Sequence, residues 1–177
     1  MADDTLVQAI ATGDRWAMRV LFDRHKNRVF RFILRMVRDR ALAEDLLNDV
    51  FLDVWLRADQ FAGRSRVSTW LLGIARHKAL TALAARRPEQ LDDEAALDIV
   101  DPAPDPEREL AGKQRAALLR RAIGSLAARH REIIDLVYDQ GKSIGEIAEL
   151  LRIPANTVKT RMFYARQRLA ALVQGKA

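Results

Sequence analysis

Cysteine is absent from this 177-residue sequence, which excludes disulfide bonds and cysteine-ligated zinc. Long apolar runs are absent too, since no stretch approaches the roughly 20 residues that a helix needs to cross a bilayer. The first four residues include two aspartates and lack the basic-then-apolar order of a secretory signal. We therefore expect a soluble, cytoplasmic protein.

Proline is scarce and unevenly placed, because four of the five prolines lie between residues 88 and 106. Residues 88–112 also hold nine carboxylates and one arginine, a net charge of −8, whereas residues 1–87 carry +6 and residues 113–177 carry +8. Proline disfavours continuous helix, and like charges keep a segment extended and solvated. We interpret residues 88–112 as a flexible acidic linker between two domains; a long surface loop within one domain is the alternative.

The apolar pattern of both basic segments predicts two small all-α domains. Val, Ile and Leu recur there at spacings of three and four residues, and no sustained alternating pattern indicates strands. Gly13 is placed to end a first short helix and Asp14 to cap a second, which we expect to run from about Arg15 to Arg38. The net charge of +6 and the pI near 10.1 suit a partner rich in phosphates, although the signal is weak by itself.

Two predicted helices of the first domain carry charged stripes. Arginines at positions 24, 28, 31, 35 and 38 share one side of the second helix, either as an ordinary solvated face or as a surface for DNA or a protein partner. The next helix, predicted from Leu42 to Leu56, buries a seam and shows an acidic stripe beside it. The seam consists of Leu42, Leu46, Val50 and Val54, and the stripe of Asp45, Asp49 and Asp53. Three like charges in register favour either solvent or a basic partner.

The stretch from Phe61 to Thr69 has no helical period and contains Gly63, so we predict a loop. It leads into a helix that begins at Trp70 and shows a basic face. An aromatic and basic loop before a basic helix is suited to hold an unstacked base and the neighbouring phosphates. The alternative is that Phe61 and Trp70 simply pack in the core, which we expect of Trp70.

A helix-turn-helix is predicted near the end of the chain. The sequence from Ser143 to Glu146 has the form of a capping box, Pro154 breaks the helix that follows, and a longer helix runs from about Ala155 to Val173. Such a second helix can enter the major groove of DNA. Its small polar and basic residues favour DNA binding over a purely structural bundle, with Arg161 as the best candidate for reading a guanine and Lys159, Arg166 and Arg168 free to reach the DNA backbone.

Taken in order, these pieces resemble an extracytoplasmic-function sigma factor, which is group IV of the sigma-70 family. The resemblance covers nearly the whole chain and implies a sigma-two-like bundle at 1–87 and a sigma-four-like helix-turn-helix at 113–177. It is carried by Gly13-Asp14, by Ala43-Glu44-Asp45-Leu46-Leu47-Asn48-Asp49-Val50-Phe51-Leu52-Asp53-Val54-Trp55, by Ser68-Thr69-Trp70-Leu71 with Ile74-Ala75-Arg76, and by Glu146-Ile147-Ala148 with Thr157-Val158-Lys159-Thr160-Arg161.

The resemblance also implies partners and contact residues. The beta-prime clamp of RNA polymerase core would contact Asp45, Asn48, Asp49, Phe51, Leu52 and Asp53, and the beta flap is the other part of the polymerase that the resemblance implies as a partner. A melted minus-ten element with a flipped base would contact Phe61, Gly63, Arg64, Ser65, Arg66, Val67, Arg76, His77 and Lys78. A minus-thirty-five element would contact Asn156, Thr157, Lys159, Thr160, Arg161, Tyr164 and Arg168. An anti-sigma protein, of a kind that is often membrane-attached, is the further implied partner.

Three residues depart from the family pattern. His77 stands where the family usually has Asn, which puts the minus-ten base preference in doubt. Arg152 replaces the usual glycine of the turn, and Ala127 replaces a common proline, so both bear on local geometry. We expect Arg152 to adopt a left-handed conformation.

The other function classes fit the sequence less well. A stand-alone helix-turn-helix regulator leaves the acidic stripe and the loop after Phe61 without a role. A helical adaptor with no DNA role stays open as an alternative, which failure to bind promoter DNA at moderate salt would favour. An enzyme finds little support, because the string from Gly141 to Ser143 lacks the upstream glycine of a phosphate loop. The three histidines are too scattered for a local metal motif. We expect no catalytic residue, metal, cofactor or small-molecule substrate.

Overall fold

The computed structural model describes residues 1–86 and 109–174, and all regular secondary structure in these two ranges is helical. The chain divides into two compact units, Met1–Asp93 and Glu94–Ala177, which are described separately below. Most of the stretch interpreted as an acidic linker lies outside the described residues. No helix of the described ranges is long and apolar enough to span a membrane.

The first unit consists of four α-helices and a short 3-10 turn. The elements are α1 (Asp3–Ala11), α2 (Arg15–Val37), α3 (Arg40–Arg57), the turn Ala58–Gln60 and α4 (Val67–Arg86). The predicted cap of α2 is confirmed, since a side-chain oxygen of Asp14 accepts hydrogen bonds from the backbone N–H groups of Trp16 and Ala17, at 2.8 and 3.1 Å. Gly13 precedes it with a φ of +89°, a conformation that glycine adopts without strain.

The core of this unit lies among the four helices, and each helix contributes apolar residues spaced three or four apart. The fully buried members with the largest side chains are Leu6, Val7, Leu21, Val29, Phe32, Ile33, Val50, Leu71 and Leu72. The predicted seam of α3 is confirmed at Leu46, Val50 and Val54, which are buried, and Leu42 is half-buried. Helix α1 is thus anchored to the bundle by its apolar face.

Several helix boundaries differ from the sequence-based expectation, including those of α3, which runs from Arg40 to Arg57 instead of from Leu42 to Leu56. Helix α2 ends at Val37, and Arg38 takes a left-handed conformation with a φ of 55°, so Arg38 leaves the helical register of the basic stripe. Helix α4 begins at Val67 rather than at Trp70, because the carbonyl of Arg66 already accepts hydrogen bonds from the backbone N–H groups of Thr69 and Trp70. The irregular loop is therefore confined to residues 61–66.

The second unit is also helical. Its elements are α5 (Glu109–Gly124), α6 (Ala128–Ile134), a π-helical turn (Asp135–Asp139), α7 (Ile144–Leu151) and α8 (Ala155–Val173). Helix α5 begins inside the stretch interpreted as linker, three residues after Pro106, the last of that proline group. Buried apolar residues of α6, α7 and α8, among them Ile133, Ile147 and Val158, form the core.

The start of α7 and the turn between α7 and α8 have the expected geometry. The capping box is confirmed: Glu146 N–H donates to Ser143 Oγ at 3.2 Å, and Ser143 N–H donates to Glu146 Oε2 at 3.0 Å. Arg152 ends α7 in the left-handed region, with φ 54° and ψ 47°. Helix α8 then starts directly after Pro154, whose fixed φ suits the entry to a helix.

Candidate nucleic-acid interface

Helix α3 carries the acidic stripe on its solvent side, but its three carboxylates are not equivalent. Asp45 and Asp49 are exposed. Asp53 is half-buried, and its Oδ2 atom lies 3.1 Å from Lys78 Nζ of α4. The resemblance assigns Asp53 to the polymerase and Lys78 to the minus-ten element. In the structure the two side chains form an ion pair with each other, which joins α3 to α4.

The neighbouring predicted contact residues divide into surface and core. Asn48 and Leu52 are exposed beside the two aspartates. Phe51 is buried, and its ring packs edge-on against Phe22 of α2 with the ring centroids 4.8 Å apart. Its side chain belongs to the core and is not presented to a partner. Leu56, one turn after Leu52, is 64% exposed and extends the apolar part of this surface, which sequence reasoning missed.

The loop 61–66 is held by an aromatic contact at its start. The rings of Phe61 and Trp70 lie 4.9 Å apart between centroids, and both residues are half-buried. Gly63 has a φ of +66°, which allows the chain to turn sharply there. Arg64 and Arg66 are exposed and Ser65 is half-buried. Val67, in the first turn of α4, is buried, so its side chain belongs to the core and not to the surface of the loop.

A cleft of about 590 Å³ lies between this loop and α1. The loop side is formed by the turn residues 58–59 and by loop residues 61–63, 65 and 66, and the α1 side by Asp4, Val7, Gln8 and Ala11. Sequence reasoning assigned no role to α1. The spacing of these four α1 residues, three and four apart, places them on one helix face, yet nothing in that spacing identifies the loop as its neighbour.

Helix α1 is fixed on α2 by polar contacts as well as by its buried face. Asp3 Oδ1 accepts a hydrogen bond from Arg24 at 2.9 Å, and Asp3 Oδ2 lies 2.8 Å from His25 Nε2. Although burial raises it, the pKa of the Asp3 carboxyl is lowered overall by the hydrogen bonds and charges of Arg24 and His25. The first arginine of the α2 stripe is thus engaged within the chain, while Arg28 is exposed.

The face of α4 that follows the loop is less open than its sequence indicated. His77 is exposed, Arg76 is half-buried, and Lys78 is half-buried in its ion pair with Asp53. Of these three residues, His77 is therefore the most open to solvent.

Helix α8 separates a core side from a polar side. Val158 and Ala165 are completely buried, and Met162 and Leu169 are half-buried, as the predicted core-facing set requires. The exposed predicted DNA contacts on the other side are Asn156, Lys159, Thr160, Tyr164 and Arg168, whereas Thr157 and Arg161 are half-buried. Helix α8 therefore exposes polar and basic side chains in its first turns, on the side opposite its buried apolar residues.

Arg166 does not have the free side chain that its position indicated. Its Nε donates a hydrogen bond to the hydroxyl of Tyr138 at 2.8 Å, and its guanidinium lies 5.6 Å from the centre of the same ring. Tyr138 belongs to the π-helical turn and is 28 residues away in sequence, so no local pattern could identify the pair. The two remaining nitrogens of the guanidinium still carry hydrogens that can be donated.

His130 lies on α6 near the same helix. Burial lowers the pKa of its imidazole, and the positive charges of Arg129 and Arg161 lower it further. The lowered pKa favours the neutral form of the His130 imidazole.

Comparisons with known proteins agree in both units. Residues 21–89 match the family described as Sigma-70 region 2, and residues 109–169 match Sigma-70, region 4. The chain is 30% identical over 173 residues to the ECF RNA polymerase sigma factor SigL of Mycobacterium tuberculosis (strain Erdman), covering 95% of both chains. It is 28% identical over 172 residues to SigW of Bacillus subtilis, an ECF RNA polymerase sigma factor, covering 92% of both.

Two solved structures share the fold. CnrH, in complex with the cytosolic domain of CnrY, superposes with a TM-score of 0.73 at 23% identity and full coverage of both chains. The sigma factor RpoE of Bartonella quintana, in complex with the anti-sigma factor NepR, gives a TM-score of 0.67 at 24% identity, covering 88% of this chain and 96% of that one. At these identities the likeness shows the all-helical fold.

Proposed function

Because this chain belongs to the extracytoplasmic-function (ECF) RNA polymerase sigma factors, we propose that it binds RNA polymerase core and directs it to promoters. The proposal rests above all on one observation: each of the two matching regions falls on its own compact unit, and each unit exposes polar and charged side chains of the predicted contact set. The factor supplies recognition and strand capture, and core polymerase supplies the catalysis. Within the sigma-70 family we assign it to group IV.

The surface for polymerase lies on α3. Asp45 and Asp49 are exposed carboxylates one turn apart, and Leu52 and Leu56 continue the same surface with exposed apolar side chains. A basic partner would relieve the repulsion between the two carboxylates, and the leucines would gain burial on docking. We propose the beta-prime clamp as this partner and the beta flap as a partner of the second unit. Asp53, paired with Lys78, would support this surface from within.

The minus-ten element is proposed to bind at the loop 61–66. Phe61, held against Trp70, would stack on an unpaired base, and the exposed Arg64 and Arg66 would meet the adjoining phosphates. His77 would continue the contact along α4. Phosphate binding of this kind weakens steeply as salt rises.

The minus-thirty-five element is proposed to bind along α8. Its first two turns expose Asn156, Lys159 and Thr160, and Arg168 follows two turns later. Lys159 and Arg168 suit phosphates, and Arg161 has the fork of donors that reads guanine in the major groove. The hydroxyl of Thr160 donates to the carbonyl of Asn156 at 2.9 Å, which leaves its oxygen lone pairs for a donor on DNA.

We also propose regulation by an anti-sigma protein and a tethering role for the acidic segment. CnrH and RpoE are described in complexes, the first with the cytosolic domain of CnrY and the second with the anti-sigma factor NepR. A protein that covers the α3 surface, the loop 61–66 or α8 would block the contacts proposed above. Residues 88–112, with their net charge of −8, would serve as the acidic linker between the sigma-two-like and sigma-four-like domains.

The test is binding to purified core polymerase, measured by co-elution and by fluorescence anisotropy. The double variant Asp45→Lys with Asp49→Lys should weaken core binding at least about tenfold, which corresponds to about 1.4 kcal/mol. Glu44→Lys is the control, because Glu44 is an exposed carboxylate on α3 that lies beside Arg40. If the double variant binds core as the wild type does, the α3 surface is not the docking site. If the wild type binds duplex DNA but not core, the chain is a stand-alone regulator.

A further inference from the structure

The contacts proposed above give no role to the α1 side of the cleft. Asp4 and Gln8 lie one helical turn apart, both are exposed, and both line the cleft opposite the loop 61–66. Their helix is held in place by its buried apolar face and by the contacts of Asp3 with Arg24 and His25. These two side chains are therefore presented to the cleft by a fixed support.

The charges of the cleft indicate which part of a nucleotide could enter it. Its lining includes two carboxylates, Asp4 and Asp59, and one guanidinium, Arg66. A phosphate inside would meet more negative than positive charge, so phosphates are favoured outside, where Arg64 is exposed. An uncharged base has no such penalty. The apolar lining, which includes Val7 and Phe61, suits the faces of its ring.

The chemistry of Asp4 and Gln8 narrows the choice of base. An ionised carboxylate only accepts hydrogen bonds, so it favours an exocyclic amine and disfavours a carbonyl. Gln8 can donate from its amide nitrogen to a ring nitrogen or a carbonyl beside that amine. Thymine has no amine, and its single ring N–H lies between two carbonyl oxygens that a carboxylate would repel.

We propose that α1 reads the captured base, and that Asp4 and Gln8 select a base with an exocyclic amine over thymine. This inference depends on the proposed capture of a single strand by the loop 61–66. It adds α1 as a specificity-determining element and names the feature of the base that it recognises.

The test compares cytosine with thymine, because the two pyrimidines have rings of the same size and differ at the amine. The probes are fluorescein-labelled single strands in which one base, cytosine or thymine, is flanked by abasic sites, with a fully abasic strand as reference. Binding of the full-length chain is measured by fluorescence anisotropy at one fixed, low salt concentration. We expect the cytosine probe to bind about tenfold more tightly than the thymine probe, equivalent to about 1.4 kcal/mol.

Variants of α1 separate base reading from a structural role. Asp4→Asn should reduce the cytosine preference to about twofold or less, since an amide can also donate to a thymine carbonyl. It should not weaken binding of the abasic strand, because the change removes a negative charge from the DNA-binding side. Gln8→Ala should weaken cytosine binding more than thymine binding. Thr5→Asn is the control, because Thr5 is exposed on α1 and does not line the cleft, and it should keep the full preference.

Equal binding of cytosine and thymine by the wild type would overturn the inference, and so would a preference that survives in both Asp4→Asn and Gln8→Ala. If the chain still binds core polymerase and the abasic strand, the proposed function stands and only base reading by α1 is lost. Failure to bind any single strand, together with failure to bind core, would reject the proposed function itself.

Discussion

Arg152 offers a sharp test of the helix-turn-helix geometry, because its backbone is strained and its side chain is exposed. It ends α7 with φ 54° and ψ 47°, a region that glycine occupies without steric cost. For a residue with a Cβ atom the left-handed conformation costs roughly 1–2 kcal/mol. Replacing Arg152 by glycine should remove that strain.

The gain is smaller than the strain, because glycine also makes the unfolded chain more flexible. That flexibility costs about 0.4–1 kcal/mol. The difference of the central values leaves a net stabilisation of about 0.8 kcal/mol for Arg152→Gly. For a unit of about 60–100 residues, 1 kcal/mol shifts the melting temperature by roughly 4–8 °C, so we expect a rise of about 3–6 °C.

The assay is thermal unfolding followed by circular dichroism, with the transition of the second unit assigned by a fragment or a probe in α8. Arg168→Gly is the matched control, because it makes the same chemical change at an exposed position inside α8, where glycine should destabilise by about 1 kcal/mol. The two variants should shift the melting temperature in opposite directions. A fall in melting temperature for Arg152→Gly would refute the strain argument.

Three further predictions concern charge and hydrogen bonding. The pKa of the Asp3 carboxyl is lowered in the folded state, so its contribution to stability is present above about pH 4 and is lost as the pH falls through the pKa of the folded state. Asp3→Asn should therefore make the urea midpoint of unfolding depend less on pH in this range. The losses of duplex-DNA affinity caused by Tyr138→Phe and by Arg166→Ala should not add up in the double variant, because Tyr138→Phe removes the hydroxyl that orients the Arg166 guanidinium. Additive losses would show that the contact between Tyr138 and Arg166 does not affect DNA binding. Replacing the carboxylates of residues 88–112 by Ser or Gln should raise DNA binding by the free protein at fixed salt, and unchanged affinity would count against electrostatic shielding.

Local signals in the sequence predicted the starts of α2 and α7 and the buried faces of the helices. Asp14 caps α2 and Ser143 pairs with Glu146 because a helix start depends on residues within one turn of each other. The left-handed conformation of Arg152 was expected from the resemblance instead, because Arg152 stands where the family usually has the glycine of the turn. Helix periodicity likewise separated the buried side of α8 from its polar side.

Contacts between distant parts of the chain could not be predicted in this way. Asp53 and Lys78 each lie on a charged helix face, and only the packing of α3 against α4 brings them together. The contact between Tyr138 and Arg166 depends on the π-helical turn that holds Tyr138, and no local sequence pattern predicts that turn. The burial of Phe51 depends on the position of Phe22 in a neighbouring helix. Residue type and periodicity thus indicated surfaces, but the partner of each side chain followed from tertiary packing.

Run-off transcription tests the central claim most directly. Purified core polymerase is combined with the full-length chain and with genomic promoter fragments at fixed salt, and the transcripts are mapped. We predict defined start sites that appear only when the chain is present and that weaken with the double variant Asp45→Lys and Asp49→Lys. Transcripts that do not change when the chain is added would contradict its role as an initiation factor.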